Sequence, residues 1–283
     1  MQQRTQTKYL LLAPSLLLTI AVALTPFALA QNRPKPQSKP QSNPKTSDTI
    51  AAPQFISVQV VHVKPEMLTE FQEFARTQTL PAYKKAGIKE RTAWTTAVFG
   101  EAYEYVFVTP IDSMSQYDGP SPVVRALGED GARAYGEKSR RLIASSRTIC
   151  LQVRPDLSIE PKLTGPPRLG TGTVVSIAPG RAQDFEALFK NDLLPVLRKA
   201  ELQGLLLAQG SLGGDPYEYH IFALYDSFAE IGKGSPYVRV LGPAGANLLL
   251  KKGAGIVTKV ERTVYRFVPD LSITPSMQKA ENK

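Results

Sequence analysis

The sequence has almost none of the residues from which metal cages and disulfide frameworks are built. One cysteine, Cys150, and two histidines, His62 and His220, stand in 283 residues. A single thiol excludes an intrachain disulfide framework and any zinc site of several thiolates. With so few imidazoles, the expectation is no dedicated metal site and no cofactor. Excess charge is modest too, 34 Lys plus Arg against 25 Asp plus Glu. Much of the surplus lies near the start, in Arg4, Lys8, Arg33, Lys35, Lys39 and Lys45. What remains is a weak field, so nucleic acid is not an expected partner. Apolar residues are not scarce: 42% of the chain is hydrophobic, enough for cores in about two domains.

The first segment reads as an export signal. Arg4 and Lys8 precede an apolar run from Tyr9 to Leu24, Thr25-Pro26 breaks it, and Ala28-Leu29-Ala30 supplies small residues before Gln31. This is the three-part layout of a secretory signal peptide. An uncleaved anchor is the alternative, because the run approaches the roughly 20 residues that span a bilayer; Pro14 and Pro26 argue against it. The expected location is secreted or periplasmic, with membrane contact only through the signal during export. From Gln31 to Gln54, Pro34, Pro36, Pro40, Pro44 and Pro53 alternate with Ser, Gln and Asn, a composition that cannot build a core and serves as a spacer.

The strongest signal is an internal repeat. Pro155-Asp-Leu-Ser-Ile159 returns as Pro269-Asp-Leu-Ser-Ile273, and the same shift of 114 carries Tyr103-Glu104-Tyr105 onto Tyr217-Glu218-Tyr219. It also carries Ser121-Pro122, Val124-Arg125 and Leu127-Gly128 onto Ser235-Pro236, Val238-Arg239 and Leu241-Gly242. Without a gap, 29 of 107 positions match, where average composition gives about one in sixteen. The chain therefore divides into signal 1–30, Pro-rich linker 31–54, repeat 1 at 55–160, a connection 161–168, repeat 2 at 169–273 and a tail 274–283.

Each repeat reads strand, helix, strand, strand, helix, strand. In repeat 1 these are Phe55 to Val63, a helix from Pro65 with a restart at Leu80-Pro81, Lys89 to Phe99, Tyr103 to Thr109, a broken helix ending near Ile143, and Thr148 to Val153. Repeat 2 follows suit, from Thr171 to Ile177 through to Arg262 to Val268. This is the ferredoxin-like order, an α+β unit with both helices on one face of an antiparallel sheet. One such unit leaves the other sheet face bare. Yet Leu205-Leu-Leu207 and His220-Ile-Phe-Ala-Leu-Tyr225 are too continuously apolar for a half-wet sheet. The two repeats are therefore expected to pack sheet to sheet as an eight-stranded barrel inside one chain, a pseudo-dimer that is a monomer or a weak homo-oligomer. Burial at about 25 cal/mol per Å² supplies the drive.

Pro65, Phe71, Leu80-Pro81, Lys85-Ala86-Gly87 and the paired strands that follow resemble the dimeric α+β-barrel superfamily, which includes NIPSNAP-like, EthD-like and antibiotic-biosynthesis-monooxygenase-like domains. The resemblance covers both repeats and implies a cavity between sheet and helices that takes small, partly apolar molecules. Haem-degrading members pair a strand Asn with Trp and His; here His62 and Trp94 are present, but the first strand offers Gln59, and Ala208 replaces Trp94 in repeat 2. Chlorite-dismutase-like members ligate haem through a helical His, whereas both histidines fall on predicted strands. Haem is thus disfavoured.

Candidate ligand-binding residues follow from the shared plan and from polarity: Tyr103, Tyr105, Tyr217 and Tyr219 as phenols flanking Glu104 and Glu218; Arg125 and Arg239 as anion clamps or partners of those glutamates; and His62, His220 and Trp94, which the repeats do not share. Packing and ion pairing are the structural alternatives for each. No catalytic residue is assigned. Three functions remain open: an exported binding protein for a small, partly apolar molecule, a cofactor-independent monooxygenase or isomerase acting on an aromatic compound, and a structural envelope module. An enclosed cavity above about 300 Å³ favours the first two and filled halves favour the third.

Overall fold

Proline sets the helices and glycine divides them. In this computed structural model, which describes residues 55–274, β1 (Phe55–Val63) passes through Pro65 into α1 (Leu68–Phe74), a wide turn at Ala75–Thr79 and α2 (Leu80–Lys85). Pro81 has no N–H to continue the ladder, and the turn ahead of it widens: the Leu80 N–H reaches back to Ala75 O. Pro195 does the same in repeat 2, where Leu194 N–H donates to Phe189 O. After β2 (Thr92–Thr96) and β3 (Glu104–Ile111) comes α3 (Pro122–Leu142). Ser121 caps it, its Oγ accepting from Val124 N at 3.3 Å. Gly128 then interrupts it at φ 72, ψ 177, a conformation that needs the missing Cβ. The short capped helix read from the sequence is this segment. Repeat 1 closes with β4 (Ile143–Val153).

Repeat 2 contains β5 (Leu169–Ile177), α4 (Ala182–Leu188), a wide turn at Phe189–Leu193, α5 (Leu194–Lys199), β6 (Leu205–Leu212), β7 (Glu218–Tyr225), α6 (Phe228–Gly232), α7 (Pro236–Lys251) and β8 (Val257–Phe267). The predicted signal peptide, the Pro-rich linker and the tail beyond Thr274 lie outside the described residues. Two boundaries differ from expectation. The strand predicted at 89–99 is only β2, because 97–103 turns, with Tyr103 at φ 62. The last strands β4 and β8 begin earlier than predicted, at Ile143 and Val257, and the added, mostly polar residues pair with the ends of β1 and β5.

The strands form one closed antiparallel barrel in the order β1-β3-β2-β8-β5-β7-β6-β4. Besides facing each other across the interior, the halves join at both edges. Trp94 opposes Phe267 and Thr96 opposes Tyr265 at one seam; Ala208 opposes Val153 and Gly210 opposes Leu151 at the other. These pairs are equivalent under the shift of 114, as are the bulges at His62/Val63 and Ser176/Ile177. The duplication is thus a two-fold of the barrel, and no half keeps a free edge.

Alternation along the strands divides the core in three. Ile56, Ile149, Leu151, Val153 and Ala208 cluster inside the barrel, beside Trp94, which meets Phe222 and Phe267 edge-on at 4.8 and 5.2 Å. Gly170 and Gly172 face inward here; a Cβ on Gly170 would stand 2.2 Å from Phe222 Cζ and one on Gly172 2.7 Å from Tyr265 Cε2. The glycines make room for the rings. The other two cores lie between each half-sheet and its helices.

Those outer cores exchange a leucine. In the repeated Pro-Asp-Leu-Ser-Ile segment, Leu157, which closes repeat 1, is wholly buried in the core of repeat 2, and Leu271, which closes repeat 2, is buried in the core of repeat 1. Neither half can complete its own core. Leu157→Ala should therefore lower stability by about 3 kcal/mol while chemical unfolding followed by fluorescence and by circular dichroism stays a single coincident transition; separate transitions for the halves would contradict the exchange.

Candidate functional site

The same chamber, between sheet and helices, is filled differently in the two repeats. In repeat 2 it holds Leu157, Phe189, Leu193, Leu194, Leu197, Leu205, Ala223 and Leu249, all in one apolar cluster. At the matching places repeat 1 has Leu271, Ala75, Thr79, Leu80, Tyr83, Arg91, Thr109 and Tyr135. The leucine plug is replaced by hydroxyls, phenols and a cation.

Arg91 stands at the centre of this replacement. It precedes β2, where its backbone exchanges hydrogen bonds with Ile273 (N–H to O 2.8 Å, and the reverse at 2.7 Å). That pairing and the alternation of the strand turn its side chain under the helices, and only 7% of it is exposed. Nη1 donates to Thr109 Oγ1 at 3.0 Å and Nη2 to Gln59 Oε1 at 2.9 Å. The guanidinium carbon lies 4.5 Å from the ring centres of both Tyr83 and Phe107. Nearby, the Thr79 and Tyr135 hydroxyls are bonded at 2.9 Å.

Among the described residues no carboxylate pairs with Arg91. Burial pushes its pKa down, and burial likewise pushes that of Tyr135 up. Desolvating an ion costs several kcal/mol, and two ring faces return about 0.5–2 kcal/mol each. The hydrogen bonds to Thr109 and Gln59 add to that return, and repeat 2 has no such ion to desolvate, because Leu205 stands in its place. Beside Arg91, a void bounded by Thr79, Leu80, Tyr83, Phe107 and Leu271 has a volume of about 10 Å³, room for about one water. A larger opening, about 700 Å³, is a surface groove along the inter-repeat connection, between Lys162, Pro166, Arg168, Gln203 and Asp226. It contains none of the candidate residues.

A second polar group sits at the barrel mouth where β1 ends. His62 Nε2 is 2.7 Å from Glu101 Oε2 and 3.3 Å from Glu104 Oε2, and Nδ1 is 3.3 Å from Ser145 Oγ. Tyr265 of repeat 2 donates to Glu104 Oε1 at 3.0 Å. Burial, then Glu104, pushes the Tyr265 phenol well above its usual range. One imidazole nitrogen and two carboxylate oxygens within 4.8 Å of one another could hold a cation.

The remaining predicted residues are dispersed. Tyr105 and Tyr219 point outward beneath the helices: Tyr105 OH accepts from Gln72 Nε2 at 2.8 Å, and Tyr219 OH donates to Glu186 Oε1 at 2.8 Å. Glu186 is in turn paired with Arg154. Tyr103 and Tyr217 are exposed at the hairpin turns. Arg125 donates to Pro120 O at 3.1 Å and Ala86 O at 3.2 Å, so it braces the end of α2 and is not the partner of Glu104. Arg239 is exposed. Trp94 lies inside the barrel. His220 also faces the interior, 3.9 Å from Glu218 Oε2.

Arg91, Tyr83, Thr79, Tyr135 and Thr109 were not singled out by sequence reasoning. The signal was present in the alignment of the repeats, where each of these faces Leu or Ala in the other copy.

No family model and no curated protein matches the chain. Solved structures do match in fold. A protein from Lactobacillus acidophilus assigned as a monooxygenase shares 10% identity over 79% of this chain and 97% of its own, with a TM-score of 0.51. An anthrone oxidase-like protein shares 12% over 77% and 92%, TM-score 0.50. A chlorite dismutase variant from Candidatus Nitrospira defluvii shares 8% over 78% and 94%, TM-score 0.50. At such identities the likeness is one of fold, the α+β barrel these proteins share. A helical haem ligand of the kind considered from the sequence has no counterpart, since both histidines lie on strands, β1 and β7.

Burial, and then the charge of Arg147, lower the His220 pKa to about 4. An imidazole is near 6.5 in the unfolded chain, so below that pH the unfolded state takes up the proton first. This contribution to stability is whole above about pH 6.5 and declines as pH falls toward 4. In urea unfolding between pH 7 and 4.5, His220→Gln should show a shallower loss than wild type, and the His220 ring protons should titrate near pH 4 by NMR.

Proposed function

We propose that this is an exported small-molecule-binding protein whose site is the sheet–helix chamber of repeat 1, with repeat 2 as its scaffold. One observation carries the reading: the chamber that repeat 2 plugs with leucines holds in repeat 1 a buried guanidinium, paired with no carboxylate among the described residues, beside phenols and hydroxyls. The ligand is small and partly apolar, matching Tyr83, Phe107 and Leu271 around the polar centre. Volume alone favours a structural envelope module, because the void is about 10 Å³ and the opposite chamber is filled. The cation argues the other way, since a spacer has no use for a desolvated charge. Binding then requires the helical wall to move. Export rests on the sequence, from the charged start through Ala28-Leu29-Ala30.

A second reading, a cofactor-independent monooxygenase or isomerase acting on an aromatic compound, is supported by the fold shared with the monooxygenase-assigned and anthrone oxidase-like proteins. Tyr83 and Tyr135 would be its polar helpers. Oxygen uptake with a panel of phenols and quinols separates it from binding alone.

Native mass spectrometry of protein recovered from its own periplasm or medium tests both parts of the proposal. The expected result is a mature chain beginning at Gln31 with a retained small mass, which is lost when Thr79, Tyr83 and Tyr135 are all changed to Leu. A chain that carries no adduct and binds no member of an aromatic panel would leave the structural reading standing.

A further inference from the structure

The ligand class follows from what Arg91 lacks. Of its five N–H donors, one on each terminal nitrogen goes to a neutral acceptor, Thr109 Oγ1 or Gln59 Oε1, and its carbon lies 4.5 Å from the ring centres of Tyr83 and Phe107. No anion among the described residues completes it. Elsewhere a half-buried arginine is paired with acids: Arg154 meets Asp156 and Glu186. The unpaired case is the more deeply buried one. Nor does the fold require it, because Leu205, Thr173 and Ala223 occupy the places of Arg91, Gln59 and Thr109 in repeat 2 without disturbing the register. Polar and aromatic side chains have been substituted together at one place in one copy, which is the pattern of a built site.

We propose that the ligand of repeat 1 is an aromatic or alicyclic monocarboxylate whose carboxylate completes Arg91 and whose ring lies among Tyr83, Phe107 and Leu271. This rests on the chamber being a binding site at all, and adds to it the charge of what binds. A carboxylate supplies the acceptor oxygens that a guanidinium otherwise obtains from Asp or Glu, and the surrounding rings exclude water, strengthening the pair. The way in is the wide turn Ala75–Thr79, held to α3 by one hydroxyl pair, Thr79 to Tyr135.

The test uses the full exported chain and matched probes: benzoate against benzamide, and 4-hydroxybenzoate against 4-hydroxybenzamide, by saturation-transfer NMR and calorimetry. The acids are expected to bind at least about ten-fold more tightly than their amides, the step a charge-assisted hydrogen bond supplies. Arg91→Leu should abolish that preference. Because a single change leaves Gln59 and Thr109 facing an apolar side chain, the graft Gln59→Thr, Arg91→Leu, Thr109→Ala places the residues of repeat 2 at all three positions. It should fold with a Tm no lower than wild type while losing acid binding. Equal binding of acid and amide would overturn the carboxylate assignment and leave the chamber a binding site. Binding of neither would overturn both. Acid binding that survives in the folded graft would move the site away from Arg91.

Discussion

Neither half of this molecule can satisfy its own backbone or its own core. A four-stranded ferredoxin-like unit has two unpaired edges and one uncovered face, and each is an uncompensated cost in water. The chain removes all of them by joining two copies into one ring through β2–β8 and β4–β6, and by sending Leu157 and Leu271 into each other's cores. The constraint is mutual, so it preserves whatever the two copies share. Strand register, bulge positions, the widened turns before Pro81 and Pro195 and the positive-φ breaks at Gly128 and Gly242 all recur because the ring closes only if both halves keep the same geometry.

That symmetry leaves freedom in the layers outside the ring. The sheet–helix cores are two separate clusters, each on the outer side of the ring. Repeat 2 uses this freedom for packing: leucines from α5, α7, the wide turn and β6 meet at one place, and the fold is insured by that half. Repeat 1 can then carry residues that cost stability. Such division of labour is open to a duplicated chain and closed to a symmetric homodimer, where any side chain placed in one chamber appears in both.

Element order, duplication, the antiparallel barrel and the capped short helix at Ser121 were legible in the sequence, because each depends on local chemistry or on patterns repeated at a fixed shift. The candidate site was mostly not. Tyr103-Glu-Tyr105 and Arg125 drew attention by recurring in both copies. Recurrence across a duplication marks what both halves need, and that is structure: Tyr105 and Tyr219 anchor polar contacts under helices, and Arg125 holds the carbonyl end of α2. The informative positions were the departures, Arg91 against Leu205 and Tyr135 against Leu249. Strand boundaries were misread for a related reason. Ser145, Ser146 and Arg147 look like a loop by composition, yet they extend β4 because β1 supplies the partner, and pairing outweighs intrinsic preference.

The barrel mouth shows why polarity alone is a poor guide to where ligands go. His62, Glu101, Glu104 and Tyr265 are more conspicuous than the chamber, with two carboxylates converging on one imidazole nitrogen. But each group there has a partner in another: imidazole with carboxylate, the other carboxylate oxygen with a phenol, the second ring nitrogen near a serine. The polar atoms satisfy one another, and the cluster joins β1 and β3 of one repeat to β8 of the other, which is work enough to account for it. Arg91 has neutral acceptors and ring faces, and among the described residues no carboxylate that cancels its charge. A polar group whose hydrogen-bonding partners are all at hand needs no ligand to explain it. One whose charge no described residue cancels, in a fold that shows the leucine alternative 114 residues later, is the group that the proposed carboxylate would complete.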